Sequence, residues 1–300
     1  MKKPSKGLGA ILLALFVTIL WSSSWVLVKI NLQDIPPLTF AGLRYTLAAM
    51  ILLPGLFKYK AQVKSLTKKD WTRLVILGLV FYALTQGGMF LALDHLEAVT
   101  LSLLLNFTSV LVAIFGIFTI REIPNFLQWL GIVTFIAGAL VYFYPLTELT
   151  GEVWGYVFAG ITVVGNAVAA LLGRSINRDK LAHPIVVTAV SMAVGALVML
   201  GVGLAVEDFP TLNVTNILVI IWLGVVNTAF AFSLWNRSLQ TLTAVETSII
   251  NNTMLIQIAV LAWIFLDERL SWMDIVGLSL AALGVLLAHI RPRPGNIAPE

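Results

Sequence analysis

The sequence predicts an all-α integral membrane protein with ten transmembrane helices. These form two inverted five-helix repeats, with the N- and C-termini cytoplasmic. The chain is 59% hydrophobic and only 11% charged, whereas a soluble domain usually has roughly twice that charged fraction. Its apolar residues fall in blocks about 20 residues long, which is the length a helix needs to cross a ~30 Å hydrocarbon layer. In addition, one stretch of the sequence occurs twice.

The repeated stretch covers residues 98–143 and 244–289, which align without a gap at an offset of 146. A period of about half the chain indicates a duplicated membrane unit, because the periods of solenoid proteins are far shorter. The matched residues are Ala98 with Ala244, Ser102 with Ser248, Asn106 with Asn252, Glu122 with Glu268, Gly131 with Gly277, and Gly138 with Gly284.

The helices are expected in order at 8–29, 37–57, 71–93, 98–119, 124–144, 153–173, 184–206, 217–236, 244–266 and 272–290. A backbone in lipid must satisfy its own hydrogen bonds, and the apolar blocks are too long for barrel strands, so each block is predicted to be helical. Most prolines fall in links or at helix starts, where a missing N–H costs little. Pro54 is the one proline predicted inside a helix.

The positions of lysine and arginine predict the orientation, because cytoplasmic segments of membrane proteins are enriched in them. With the N-terminus inside and the ends alternating, 16 of the 19 basic residues fall on the cytoplasmic side. Five helices per copy is an odd number, so the second copy enters the membrane from the opposite face. The copies are predicted at 8–144 and 153–290, with cytoplasmic tails at 1–7 and 291–300. Inverted pairs of this kind are an architecture of secondary transporters.

Several polar and aromatic side chains lie within the predicted spans, where lipid exposure would be costly. Helical spacing places them on shared faces, as for Trp21, Ser22 and Trp25 on the first helix. They either line a solute pocket or join helices to each other, and the sequence leaves both roles open. The candidate substrate-binding residues are Trp21, Ser22, Trp25, Tyr82, Gln86, Asn106, Asn166, Asn227, Trp235 and Asn252.

Three charged residues are given structural or gating roles. Arg44 lies about two turns into the second helix, where it snorkels outward, pairs with an acidic group or meets a carboxylate substrate. Glu122 and Glu268 lie at helix–link junctions and are expected to cap the next helix or to bond to Arg121 and Arg269. Lys29 is expected to anchor the first helix at the outer interface.

A family resemblance rests on Trp21-Ser-Ser-Ser-Trp25 in the first helix, Phe40-Ala-Gly-Leu-Arg44 in the second, and the Glu and Gly-x6-Gly helix that end each copy. With ten spans and inverted halves, the chain resembles the EamA family of the drug/metabolite transporter superfamily over nearly its whole length. The resemblance implies a multi-pass carrier of the plasma membrane, often an exporter of amino acids or other small metabolites. The first helix departs from many members by having Trp-Ser-Ser in place of Trp-Gly.

The composition narrows the function further. The chain has no cysteine, so it has no disulfide, thiolate metal site or cysteine nucleophile. No cofactor, metal or nucleic acid is expected; the expected partners are the bilayer and a small-molecule substrate, with a monomer or a homodimer left open. The absence of carboxylates from the middle of the first, third, fourth, sixth and eighth spans disfavours proton-coupled export of lipophilic cations. The alternatives are an integral-membrane enzyme acting on a lipid-linked substrate and a sensor or assembly subunit.

Overall fold

The computed structural model describes residues 6–119, 126–144, 152–179, 181–239, 241–242 and 244–289. Within these ranges a helix is present in each of the ten stretches where a span was expected. The long helices are α1 Lys6–Asn31, α2 Pro37–Lys58, α3 Lys68–His95, α4 Ala98–Thr119, α5 Phe126–Tyr142, α6 Val153–Arg178, α7 Pro184–Val206, α8 Val214–Gly224 continued by Val225–Phe230 and Ala231–Leu239, α9 Ala244–Phe265, and α10 Trp272–His289. A short helix, Lys60–Ser65, precedes α3.

The helices carry apolar surfaces suited to lipid. Along α1, a stripe of exposed side chains recurs at helical spacing, at Leu8, Leu12, Phe16 and Ile19. By length and composition, five helices of the described residues can cross a membrane: α2, α3, α7, and the Leu8–Asn31 and Val153–Gly173 parts of α1 and α6. Shorter apolar helical stretches lie in the other five. Ten crossings and cytoplasmic termini therefore stay predictions.

Helices α5 and α10 cross through glycines that bring their backbones together, as small residues do at helix contacts in membranes. The contacts run in opposite directions along the two helices, so α5 and α10 are antiparallel. A shift of 146 residues converts each contact into another of the same set, which is the property of a local two-fold axis. The contacts are Gly131 with Ala288, Gly138 with Ala281, Gly277 with Tyr142, and Gly284 with Phe135.

The same shift of 146 residues, which exchanges the two halves, also relates other pairs of packed helices. Helix α1 packs on α9 and, correspondingly, α6 packs on α4. Helix α3 packs on α7, and α8 packs on α2. Helices α2 and α7 are each other's equivalents, and they also run antiparallel, because Gly42 faces Leu200 while Gly55 faces Ile185. The chain thus forms two halves, helices α1–α5 and helices α6–α10, which lie upside down relative to each other.

Both halves interrupt their third helix with a π-helical segment at equivalent positions. These segments are Gly78–Gln86 in α3 and Val225–Phe230 in α8. In each, a threonine hydroxyl donates to the carbonyl five residues earlier, from Thr85 to Val80 and from Thr228 to Leu223. π-Helical segments inside helices are frequent at functional sites because they break the regular backbone ladder.

Helix starts in one half are capped by side chains from the other half. The Glu207 carboxylate at the end of α7 accepts from the backbone N–H groups of Leu38 and Thr39 at 2.9 and 2.8 Å. At the opposite end of the same helix pair, the backbone N–H of His183 donates to Gln62 Oε1 at 2.9 Å. The free N–H groups of a helix start need such acceptors, so these bonds join the two halves.

Enlarging Gly138 should disrupt the α5–α10 crossing. A Cβ added there would overlap the backbone nitrogen of Ala281, and backbone cannot move aside as a side chain can. We expect Gly138→Leu to destabilise the fold by about 1–3 kcal/mol or more, measured as a lower melting temperature of the purified protein in detergent.

Gly160→Leu is the matched control, because Gly160 is exposed on α6 and an added Cβ meets nothing within 4 Å. Equal melting temperatures for the two variants would contradict the close crossing.

Candidate functional site

The first aromatic cluster joins α1 to α8. The rings of Trp21 and Trp235 lie with centroids 5.1 Å apart. The Trp21 indole Nε1 donates to the backbone carbonyl of Asn227 at 3.0 Å, and Asn227 Nδ2 donates to the Leu20 carbonyl at 2.5 Å. Asn227 lies in the π-helical segment of α8, where the interrupted backbone ladder makes a carbonyl available to the indole. Among the predicted site residues, Trp21 therefore contacts both Asn227 and Trp235.

A polar network joins α1 to α9 beside this cluster. The Ser22 hydroxyl donates to Gln257 Oε1 at 3.0 Å. Gln257 Nε2 donates to the hydroxyls of Thr18 and Thr253 at 3.1 and 2.9 Å. Gln257 was not among the predicted site residues. Its signal in the sequence is a glutamine in the middle of an apolar helix, four residues after Thr253.

A second aromatic cluster joins α2 to α3. The Tyr45 hydroxyl donates to Gln86 Oε1 at 2.7 Å, and the rings of Tyr45 and Tyr82 lie 5.7 Å apart. Tyr45 and Tyr82 are both buried. Tyr45 was missed in the sequence because it is one of several aromatic residues in an apolar helix, and only its hydroxyl contact sets it apart.

The remaining predicted residues are dispersed. Trp25 is half-buried and packs against the main apolar core. Asn106 donates to the Ser102 carbonyl one turn earlier in its own helix, at 2.8 Å. Asn166 and Asn252 are half-buried in α6 and α9, and Asn252 Nδ2 is buried without a hydrogen-bond partner among the described residues. That all ten residues line one pocket stays a prediction.

Arg44 is buried in α2, with 6% of its surface exposed. Its Cζ lies 5.3 Å from the ring centroid of the neighbouring Tyr45. Its Nε is buried without a hydrogen-bond partner among the described residues. Snorkelling to water is wrong for this side chain, because a snorkelling arginine would expose its guanidinium.

Glu268 closes one end of the bundle. The residue is 7% exposed, and its carboxylate accepts from the backbone N–H groups of Ala98 and Val99 at 2.7 and 3.1 Å. Glu268 thus caps α4 in the other half, and the expectation that it caps the following helix is wrong. The start of α10 is capped instead by Ser271 and Asp274, while Arg269 pairs with Asp267. Glu122, the repeat equivalent of Glu268, lies outside the described residues.

Lys29 reinforces the same end. Its Nζ donates to the carbonyls of Leu93 and Leu96 at 2.6 and 2.9 Å, and so ties the end of α1 to the end of α3. Lys29 is therefore more than the interfacial anchor expected from its position. Beyond these bonds lies a pocket of about 520 Å³, lined by residues that include Lys29, Glu97, Trp263 and Glu268. Partial burial raises the pKa of Glu97, and the carboxylates of Glu268 and Asp274 raise it further.

Comparison with known proteins identifies the architecture. The model of the EamA-like transporter family matches residues 8–144 and 153–290. The chain belongs to the EamA-like transporter family. Within the part of the chain that the structure describes, no group of three or more His, Cys, Asp or Glu side chains could hold a metal ion.

Relatives of this EamA-like chain are named as transporters. An Archaeoglobus fulgidus protein, named an uncharacterized transporter, is 24% identical over 92% of this chain and 96% of its own length. An Escherichia coli protein, named a probable amino-acid metabolite efflux pump, is 25% identical over 92% of this chain and 93% of its own. A solved crystal structure superposes with a TM-score of 0.67 at 17% identity, covering 94% of this chain and 98% of the other. The family and its apolar helices make this chain a multi-pass plasma-membrane transporter protein.

Weakening the Glu268 cap should loosen the start of α4. Glu268→Gln removes the charge and turns an amide donor toward backbone donors, and a hydrogen bond to a charged group contributes about 1.5–3 kcal/mol. The chain has no cysteine, so Ser102→Cys, at a buried position of α4, reports the opening by itself. We expect a maleimide reagent to label Cys at this position about tenfold faster or more in the Glu268→Gln background.

Thr211→Cys, at an exposed position between α7 and α8, should label equally fast in both backgrounds. Unchanged labelling at position 102 would show that Glu268 does not hold this end of the bundle closed.

Proposed function

We propose that this EamA-like transporter is a secondary carrier that exports small organic metabolites by alternating access, with amino acids, aromatic ones included, as its cargo. The observation that carries the proposal is the exchange symmetry of the helix contacts. The α5–α10 crossing maps onto itself when the halves are exchanged. A molecule of two inverted halves has a second conformation of similar energy, in which each half adopts the arrangement of the other.

The bundle end held by Glu268 and Lys29 supports such an exchange. Glu122 repeats Glu268, and Ala244 repeats Ala98, at the same offset of 146. In the exchanged conformation, Glu122 would cap the start of α9 as Glu268 now caps α4. With the predicted orientation, the present bonds close the outer side and the exchanged bonds close the inner side. Glu268 then holds the outer side closed in one conformation and Glu122 holds the inner side closed in the other, which gives both glutamates a gating role.

The substrate-binding assignment rests on two groups of aromatic and amide side chains, one between the halves and one within the first half. Trp21, Trp235 and Asn227 form one contacting group, while Tyr82 and Gln86 meet through Tyr45. Aromatic walls with a few placed polar groups are typical of small-molecule sites. We propose that the site comprises Trp21, Ser22, Trp25, Tyr82, Gln86, Asn106, Asn166, Asn227, Trp235 and Asn252.

The cargo class draws on two further observations. The sequence has no carboxylate in the middle of the first, third, fourth, sixth or eighth span. A neutral or zwitterionic solute therefore fits better than a lipophilic cation. The Escherichia coli relative is named for amino-acid metabolites. Both observations favour amino acids among small metabolites, and the paired tryptophans favour aromatic ones.

Transport by purified protein in liposomes tests the proposal, with labelled L-tryptophan or L-phenylalanine exchanging against unlabelled cargo inside. Truncating an aromatic residue that anchors a bound partner costs about 2 kcal/mol or more, so we expect Trp25→Ala to lower the uptake rate about tenfold or more. Asn106→Ala should lower uptake as well, and Trp25→Phe should retain most of it.

Trp129→Ala, at an exposed position of α5, should leave uptake unchanged. Full activity of both Trp25→Ala and Asn106→Ala would remove these residues from the site. No amino-acid flux through the wild-type protein would reject the proposed cargo.

A further inference from the structure

The guanidinium of Arg44 is a buried charged group. Among the residues that the structure describes it has no ion pair, its Nε has no hydrogen-bond partner, and its Cζ lies 5.3 Å from the centroid of the Tyr45 ring. An arginine carries five N–H donors and stays charged in proteins. A buried cation with no partner is costly, and ionisable side chains in membrane spans usually serve a function.

The position of Arg44 on its helix points it into the bundle. Gly42 meets α7, because a Cβ added there would lie 2.6 Å from the Leu200 Cα atom. A side chain two residues further along a helix points in a direction about 200° away around the helix axis. Arg44 therefore faces away from α7, and since it is buried, it faces protein and not lipid.

The two π-helical segments flank this direction. Leu47, one turn after Arg44 and on the same face, approaches Gly224 at the start of the π-helical segment of α8. Tyr45, its neighbour in sequence, contacts Tyr82 and Gln86 in the π-helical segment of α3. The guanidinium thus projects from α2 between the third helices of the two halves.

A complementary atom lies on the α8 side. Asn227 is 1% exposed, and its Oδ1 is buried without a hydrogen-bond donor among the described residues. Among the described residues, the Arg44 Nε donor lacks an acceptor and the Asn227 Oδ1 acceptor lacks a donor. A zwitterion carries the missing groups, since its carboxylate accepts and its ammonium donates.

We propose that Arg44 binds the carboxylate of the transported solute, so that the carrier selects carboxylate-bearing cargo. This assignment rests on the proposed transport function and names the group by which the cargo is recognised. A guanidinium binds a carboxylate through two parallel hydrogen bonds, and Asn227 Oδ1 accepts from the ammonium of an amino acid. The repeat equivalent of Arg44 is Val190, so the carboxylate site belongs to the first half alone.

The test compares L-tryptophan with L-tryptophanamide, which differ at the carboxylate. In wild-type liposomes, unlabelled tryptophan should inhibit uptake of labelled tryptophan at about 10- to 100-fold lower concentration than the amide. In Arg44→Gln the ratio of the two inhibitory concentrations, amide over acid, should fall to near one. Arg44→Lys keeps the positive charge but loses the planar guanidinium that forms two parallel hydrogen bonds. It should therefore retain an intermediate preference for the acid over the amide. Arg269→Gln, which removes an exposed positive charge, should behave as wild type.

Melting temperatures of the purified proteins separate a binding role from a structural one. Removing a cation that lacks a protein partner should leave the melting temperature of Arg44→Gln equal to or above that of the wild type. Tryptophan should raise the wild-type melting temperature because it binds only the folded state, and it should not raise that of Arg44→Gln. A large loss of stability in Arg44→Gln would overturn the assignment, since it would reveal a structural partner.

The same two assays distinguish this assignment from the proposed cargo. Suppose that the wild-type protein transports no amino acid in liposomes, but that small monocarboxylates raise its melting temperature and their amides do not. If Arg44→Gln abolishes this rise, the carboxylate site is supported and the amino-acid proposal is rejected. If tryptophan is transported and Arg44→Gln keeps the preference for the acid, the carboxylate site is wrong. Absence of any carboxylate-specific effect on the wild type also overturns it.

Discussion

The absence of water from the hydrocarbon layer is the constraint on which this architecture depends, because every buried polar group there must find a partner within the protein. Helices meet this demand along their length but not at their starts. The starts of α2 and α4 are capped by Glu207 and Glu268, both from the second half. The residue before α7 donates to Gln62 from the first half. The need to satisfy helix ends therefore joins the two halves at their ends.

Bonds at helix ends suit a protein that changes conformation. Near the membrane surface, a carboxylate that leaves one helix start is rehydrated or takes another, whereas a broken bond at the midplane would leave polar groups in lipid. Between the halves, α5 and α10 cross through small residues, such as Gly138 on Ala281, and this crossing is held by packing. In the proposed alternating access, polar bonds at the helix ends and packed crossings such as α5–α10 would let the halves rock against each other.

The sequence predicted the helical class, the duplication and the family, because helix length, apolar content and the offset of 146 are local properties of the chain. It could not predict partners across the bundle. Glu268 was expected to bond near its own loop, but its carboxylate reaches the first two residues of α4, which lie 170 and 169 residues earlier. Gln257 and Tyr45 were missed because only the packing of α9 on α1 and of α2 on α3 gives their polar atoms a partner. The π-helical segments leave no composition signal, although a matched glycine lies at the start of each, Gly78 as the first residue of one and Gly224 just before the other.

The two halves share a backbone plan but not a chemistry, and the difference lies where α1 meets α9. The repeat equivalents of Thr18, Ser22 and Gln257 are Val164, Val168 and Leu111, so the corresponding seam between α6 and α4 is apolar at these positions. In the proposed alternating access, a symmetric backbone would give two related conformations, but symmetric side chains would offer a solute two equal sites facing opposite ways. The hydroxyl, amide and indole groups concentrated on α1 and its neighbours would instead form one site that both conformations share. On this proposal, the duplication would account for the movement and the difference between the copies would account for a single binding position.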